Sequence, residues 1–437
     1  MQTTSTETLY ALFLQQGAFT TDTRQVTPGA IFFALRGDTF NGNRFAAQAL
    51  AAGCAYCVVD EADVAATDER MLYVPDALRA LQDMAALHRR RLGLPLLQIT
   101  GTNGKTTTKE LTSAVLARRY RVLATAGNFN NDIGVPKTLL RLTAEHEVGV
   151  IETGASHPGD IRSLCRMVTA DYGLITNVGK AHLEGFGSFE GVVRTKSELY
   201  DDLRTRPGTL VFLHADDPIL CRQAAGLRAW RYGQPGRGYD VEGEALDDGP
   251  YLSLRWRRQG GPWHTVSTHL IGTYNLSNVL AAAAVGAYFK VPDEQITQAL
   301  TDYVPTNQRS ELRQTGRNRL IIDAYNANPT SMAAAIDNFC HLQAARKMAI
   351  LGDMRELGTA SAEEHQRVVN QILTAGCERI WLVGEHFQAT RHESAAIRCF
   401  AHTDEVKAAL AQEPLSGYTI LIKGSHGTRL YELPDQL

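Results

Sequence analysis

The sequence predicts an α/β protein of three domains, and three observations carry that prediction. Its 437 residues exceed what one ordinary hydrophobic core organises. Short apolar runs alternate with amphipathic helical stretches along most of the chain, the pattern of mainly parallel sheets covered by helices. One such run, Leu94 to Ile99, breaks into a glycine-bearing turn that opens a helix near Thr106. The expected divisions are a small α/β unit over 1–82, a central P-loop ATPase-like domain over 83–308, and a Rossmann-like α/β domain over 309–437.

The elements follow in order. In the first unit Ile31 to Leu35 reads as a strand, Arg44 to Ala52 as a helix and Ala55 to Val59 as a strand. Leu78 to Arg91 reads as a helix whose basic end, His88 to Arg91, is expected to be solvated. Beyond Leu94, the runs Val148 to Ile151, Tyr172 to Thr176 and Thr209 to Leu213 read as buried strands of a mainly parallel sheet. Residues 239–270 break the rhythm. Tyr251 to Trp256 and Trp263 to Leu270 alternate apolar and polar around Gly260-Gly261, which predicts a hairpin or small antiparallel insert. A helix is expected from Asn275 to Phe289. The third unit offers strands at Leu320 to Asp323, Met348 to Gly352, Arg379 to Val383 and Tyr418 to Ile422, with a helix from Ser331 to Cys340. These form another parallel sheet in this reading.

Composition excludes several classes. A formal charge of −3 gives no electrostatic case for nucleic acid or membrane surfaces. No apolar run approaches a membrane span, and Met1 to Thr4 lacks a basic start before an apolar core, so no signal peptide is expected. Seven scattered cysteines fit a reducing cytoplasm. Cys54 and Cys57 form a lone C-x-x-C pair without a nearby His, and it reads as packing.

The chemistry starts at Gly101-Thr102-Asn103-Gly104-Lys105-Thr106-Thr107. A strand, a glycine-bearing turn and a helix start aim backbone N–H groups at one spot, where the helix dipole is positive. That is a phosphate cradle. Lys105 adds charge for the outer phosphates, and Thr106 offers a hydroxyl to magnesium. The ordinary G-x-x-x-x-G-K-[ST] spacing is shortened, with Ile99 where the first glycine would stand. Glu152 and Asn177 end neighbouring predicted strands, His182 follows in a loop, and Lys196 lies on a predicted helix. Singly, each has a bland alternative: a helix cap, a hydrogen-bonded loop histidine, a surface lysine. Together, downstream of a phosphate loop, they make an oxygen-and-nitrogen site for magnesium on a nucleotide.

Eight strings carry a resemblance. They are T-G-T-N-G-K-T-T at 100–107, G-N-F-N-N-D-I-G-V-P-K at 127–137, I-E-T-G-A-S-H-P-G-D-I at 151–161, N-V-G-K-A-H-L-E-G-F-G-S at 177–188, G-T-Y-N-L-S-N-V-L-A-A-A-A at 272–284, D-A-Y-N-A-N-P-T-S-M at 323–332, L-G-D-M-R-E-L-G at 351–358 and I-K-G-S-H-G-T at 422–428. Their order resembles the Mur ligase family over essentially the whole chain. The strings at 323–332 and 351–358 point to the branch that joins D-Ala-D-Ala to UDP-N-acetylmuramoyl-tripeptide.

The resemblance implies an ATP-dependent amide ligase working through an acyl phosphate in cytoplasmic peptidoglycan precursor synthesis. ATP and Mg2+ are the implied cofactors, and a monomer is expected. Gly101 to Thr107 would hold ATP, with Asn275 and Asn278 at adenine, Asp323 at ribose and Arg309 at the γ-phosphate. Thr106, Glu152, His182 and a carbamylated Lys196 match the magnesium ligands. Thr23, Arg24, Arg36, Asn43 and Asn128 match contacts to the UDP-linked substrate. Asn326, Asn328, Lys423 and Ser425 lie where the dipeptide would bind. Tyr274, His426, Asn43 and Thr153 depart from the usual pattern without removing an implied catalytic group. Two rivals stay open: another ligase of the superfamily, such as a folylpolyglutamate synthetase or tripeptide-forming Mur ligase, and a nucleotide-binding homologue without turnover.

Overall fold

A computed structural model describes residues 2–246, 249, 251–305 and 311–437. Three sheets organise it. The first has four parallel strands in the order β1 (Phe19–Thr20), β2 (Ile31–Phe33), β3 (Tyr56–Val59) and β4 (Met71–Tyr73). Ile31 to Phe33 and Cys57 to Val59 are fully buried, as apolar strands covered on both faces must be. Cys57 is also fully buried, its Sγ donates to the Ala46 carbonyl, and burial pushes its thiol up to about 12. That is a packing environment.

The central sheet has nine strands. Its parallel part comprises β5 (Leu96–Thr100), β6 (Val122–Ala124), β7 (Val148–Glu152), β8 (Tyr172–Ile175), β9 (Leu210–His214) and β10 (Ala229–Gly233). β11 (Val241–Ala245), β12 (Tyr251–Arg258) and β13 (His264–Ile271) extend one edge. The hairpin is therefore continuous with the sheet: β11 pairs parallel with β10 and antiparallel with β12. Trp256, fully buried, anchors this edge and donates its indole N–H to Thr297.

Spatial order matters most at the centre, where β5 lies between β8 and β7. Ile99 is in register with Glu152, and Thr100 with Ile175. The carboxyl ends of three neighbouring strands thus meet at one point, where ligands of open α/β sheets collect.

The third sheet runs β14 (Glu311–Gln314), β15 (Arg319–Asp323), β19 (Thr419–Lys423), β16 (Lys347–Gly352), β17 (Arg379–Val383) and β18 (Ile397–Phe400). It is mixed, because β14 pairs antiparallel with β15 at the edge. β15 and β19 bring Asp323 opposite Lys423.

The basic end of helix Ala77–Leu92 departs from expectation. His88 and Arg89 are buried, because Leu81, Met84, Ala85, His88 and Arg89 form one helical face. Arg89 donates to the carbonyls of Val168 and Thr169 and pairs with Asp171 at 2.9 Å. His88 bonds the Leu142 carbonyl through Nε2 and Tyr10 through Nδ1. The run ties the N-terminal helices to the central domain.

Candidate active site

A cleft of about 940 Å³ lies where the carboxyl ends of the central and C-terminal sheets face each other. Thr102 to Lys105 line it, on the turn that begins at Gly101. Gly101 has φ +140°, and a Cβ there would sit 2.0 Å from Thr176 Oγ1. Gly104 has φ +78°, and a Cβ would meet Asn278 Oδ1 at 2.4 Å. Both positions require glycine on conformation and on space. Asn177 holds the turn at two points, accepting from Asn103 N and donating to Asn103 O, each at 3.0 Å. Helix Lys105–Leu116 then starts without a side-chain cap, so its first N–H groups face the cleft. The Lys105 ammonium folds back onto the carbonyls of Gly101 and Thr102 at 2.8 and 2.9 Å.

Glu152 is buried at the end of β7. Its Oε1 accepts from Thr106 Oγ1 at 3.2 Å and Asn130 Nδ2 at 2.8 Å. Its Oε2 is buried with no hydrogen-bond partner among the described residues. An orphaned carboxylate oxygen is costly unless something cationic meets it. His182 also lines the cleft, with a left-handed backbone (φ +48°), and its Nδ1 contacts Glu356 Oε2. Burial pushes its imidazole below the ordinary histidine range, opposed by Glu356.

Among the described residues no three His, Cys, Asp or Glu side chains cluster as a self-sufficient metal site. A carboxylate and a hydroxyl supply hard oxygen donors and an imidazole a nitrogen, a partial set that nucleotide phosphates and water would complete. The orphaned Oε2 of Glu152 makes that donor set fit magnesium.

Lys196 is no surface lysine. It is 2% exposed on helix Phe189–Arg204, donates to the Ala155 carbonyl at 3.3 Å and lies 5.5 Å from the Phe186 ring centre. Burial, then the charge of Lys105, pushes its ammonium well below the ordinary lysine range.

Asn275 and Asn278 line the cleft but are bonded to each other, to Ile271 O and to Thr108. Asp323 pairs with Lys423, which is buried. Asn326 lines both the main cleft and an adjoining cavity of about 490 Å³, with Asn128, Tyr325 and His426. Asn328 caps helix Pro329–His341 and donates to Asn103 Oδ1 at 2.7 Å. Ser425 Oγ is buried without a partner among the described residues. Arg309 lies outside the described residues.

The N-terminal candidates stand apart from the cleft. Arg24 pairs with Asp22 beside Thr23, and Arg36 with Asp60 and Glu61. Asn43 is buried, bonded to Asn41 and Asp60. Sequence reasoning missed Glu356, Asn130 and Thr330, which join the site through contacts to His182, Glu152 and Lys180. Each carried a signal only as a member of a quoted string, Asn130 at 127–137, Thr330 at 323–332 and Glu356 at 351–358.

Fold and site together define a class. Residues 18–89 match the Mur ligase family catalytic domain, 99–286 the Mur ligase middle domain and 308–426 the Mur ligase glutamate ligase domain. The chain belongs to the Mur ligase family. Within it, the chain is similar to the UDP-N-acetylmuramoyl-tripeptide–D-alanyl-D-alanine ligase of Bacillus subtilis, 33% identical over 95% of this chain and 92% of that one. The ligase of the same name from Escherichia coli is 34% identical with the same coverage. A crystal structure of MurF from Acinetobacter baumannii superposes with a TM-score of 0.86 at 29% identity, covering 98% of this chain and 97% of that one.

Proposed function

We propose that this chain is an ATP-dependent ligase that joins D-Ala-D-Ala to UDP-N-acetylmuramoyl-tripeptide, a cytoplasmic step of peptidoglycan precursor synthesis. The observation that carries the chemistry is the meeting of the Gly101–Thr107 cradle with Glu152, whose Oε2 is orphaned. The choice of substrates rests on the relatives' activity.

The cradle N–H groups and Lys105 hold the phosphates, and Lys105 turns from its loop carbonyls to do so. Thr106, Glu152, His182 and a carbamate on Lys196 would hold magnesium, which would supply charge neutralisation at the phosphates. Asn275 and Asn278 face adenine, Asp323 ribose, and Arg309 the γ-phosphate. Thr23, Arg24, Arg36, Asn43 and Asn128 take the UDP-linked substrate. Its terminal carboxylate attacks the γ-phosphorus, the bond to ADP breaks, and an acyl phosphate forms. The dipeptide amine, placed through Asn326, Asn328, Lys423 and Ser425, attacks the acyl carbon, its nitrogen loses a proton to water, and inorganic phosphate leaves. Of these four, Asn326 lines both the main cleft and the adjoining 490 Å³ cavity, and Lys423 lines the main cleft. The protein's part is positioning and electrostatics.

The test is phosphate release from ATP with each substrate omitted in turn. Release is expected only with both UDP-N-acetylmuramoyl-tripeptide and D-Ala-D-Ala. Release driven by a folate and glutamate, or none with both expected substrates, overturns the reading.

A further inference from the structure

We propose that Glu356, from the C-terminal domain, is a positioning residue for His182, so that docking of that domain finishes the metal-binding group of the central one. The inference rests on the reading of His182 as a metal ligand.

An imidazole has two nitrogens, and a carboxylate on one decides how the other is presented. Glu356 Oε2 takes Nδ1 of His182. The N–H is thereby fixed on Nδ1, and Nε2 keeps its lone pair for a cation. Both residues line the nucleotide cleft. Both also hold left-handed backbones, φ +48° at His182 and +62° at Glu356. Non-glycine residues adopt that conformation where the surroundings over-determine it.

The surroundings here are a set of contacts between the two domains. Glu184 N donates to Glu356 O at 3.2 Å. Lys180 N donates to Thr330 Oγ1 at 2.9 Å, and Lys180 Nζ pairs with Glu364 at 2.7 Å. Gly179 packs so closely that a Cβ would lie 2.6 Å from Thr330 Oγ1. The loop carrying His182 is therefore clamped along its length by C-terminal residues.

Glu356 is not what holds its own loop. Its side chain is 56% exposed. The loop is braced one step earlier: Met354 N donates to His365 Nε2, and the Asp353 carboxylate accepts from the N–H groups of His386 and Phe387. Removing the Glu356 carboxylate leaves these bonds intact, so its effect is readable at His182.

The experiment titrates Mn2+ into the full chain loaded with ADP and reads free Mn2+ by electron paramagnetic resonance. Glu356→Ala is expected to weaken Mn2+ binding about tenfold or more, the usual cost of losing a carboxylate behind a ligating histidine. Glu356→Gln, whose amide oxygen still accepts from Nδ1–H, should stay within about threefold of wild type. Thermal midpoints should not move in either variant. In a His182→Ala background, Glu356→Ala should add nothing. Wild-type affinity in Glu356→Ala, equal losses in the Ala and Gln variants, or a full further loss in the His182→Ala background overturns the proposal. Ligation of D-Ala-D-Ala by the wild type is scored separately: its absence beside a tenfold Mn2+ loss rejects the substrate reading alone, and its presence beside unchanged Mn2+ affinity rejects this inference alone.

Discussion

Asn103 of the phosphate loop and Asn328 of the C-terminal domain are joined amide to amide. Asn328 Nδ2 donates to Asn103 Oδ1 at 2.7 Å, and Asn103 Nδ2 returns a longer bond of 3.4 Å. Asn328 Oδ1 also caps its own helix by accepting from Ser331 N at 2.9 Å. One side chain thus starts a C-terminal helix and touches the nucleotide cradle.

These two jobs separate by substitution. Asn328→Ala loses both, and we predict a stability loss of ~1 kcal/mol from the missing cap. Asn328→Asp keeps the acceptor for Ser331 N but cannot donate to Asn103. We predict an unchanged melting temperature for it, with kcat/KM down about tenfold, equivalent to about 1.4 kcal/mol of lost transition-state binding. An Asp variant with wild-type kcat/KM would show that the bridge is idle.

Lys105→Ala tests the cradle. The ammonium now rests on two carbonyls of its own loop, so its removal costs the fold little. Losing the cation that turns to the transferring phosphate is expected to cost about 3 kcal/mol, more than a hundredfold in kcat. The measurement is single-turnover phosphate release at saturating ATP, beside a melting curve. Near-normal release would remove Lys105 from the machinery.

What was legible in the sequence follows how local each signal is. The cradle is contiguous, strand to turn to helix, so Ile99 to Thr107 displayed it whole. Glu152 was legible because a strand end is a short-range feature, and parallel pairing then set it beside Ile99. Glu356 stood in the string at 351–358, but its contact with His182 was not legible, because it spans 174 residues and no periodicity encodes that meeting. His88 and Arg89 failed differently. Their charge suggested solvent, yet their spacing after Leu81 and Ala85 continued the buried stripe. β14 pairs antiparallel at an edge, where a short, half-buried strand has weak alternation.

The His88 contact makes a pH prediction. Burial pushes its pKa below the ordinary 6.5. The unfolded chain therefore binds a proton before the folded one does. Stability from this site is present above about pH 6.5 and is lost as pH falls through the lower folded value. Nδ1 accepts from Tyr10 O–H while Nε2 donates to Leu142 O, so a second ring proton would displace the Tyr10 bond. We expect the melting temperature of wild type to fall more steeply than that of His88→Gln between pH 7 and 5. Parallel curves would assign the acid sensitivity elsewhere.

Lys196 makes the last prediction. A buried ammonium with one carbonyl partner at 3.3 Å and an aromatic face is poorly compensated. We predict carbamylation: as a neutral amine its nitrogen would add to the carbon of CO2, one proton would leave to water, and a carbamate anion would replace the cation. That would convert a group that repels magnesium into an oxygen ligand. We predict that Lys196→Ala loses nearly all ligation, and that added formate or acetate restores part of it by filling the vacated space with a carboxylate. Intact mass under bicarbonate should show the added carboxyl group on wild type and not on the variant. Full activity in wild type with a bare lysine, or ordinary activity in Lys196→Ala, would leave Lys196 as a packed structural residue.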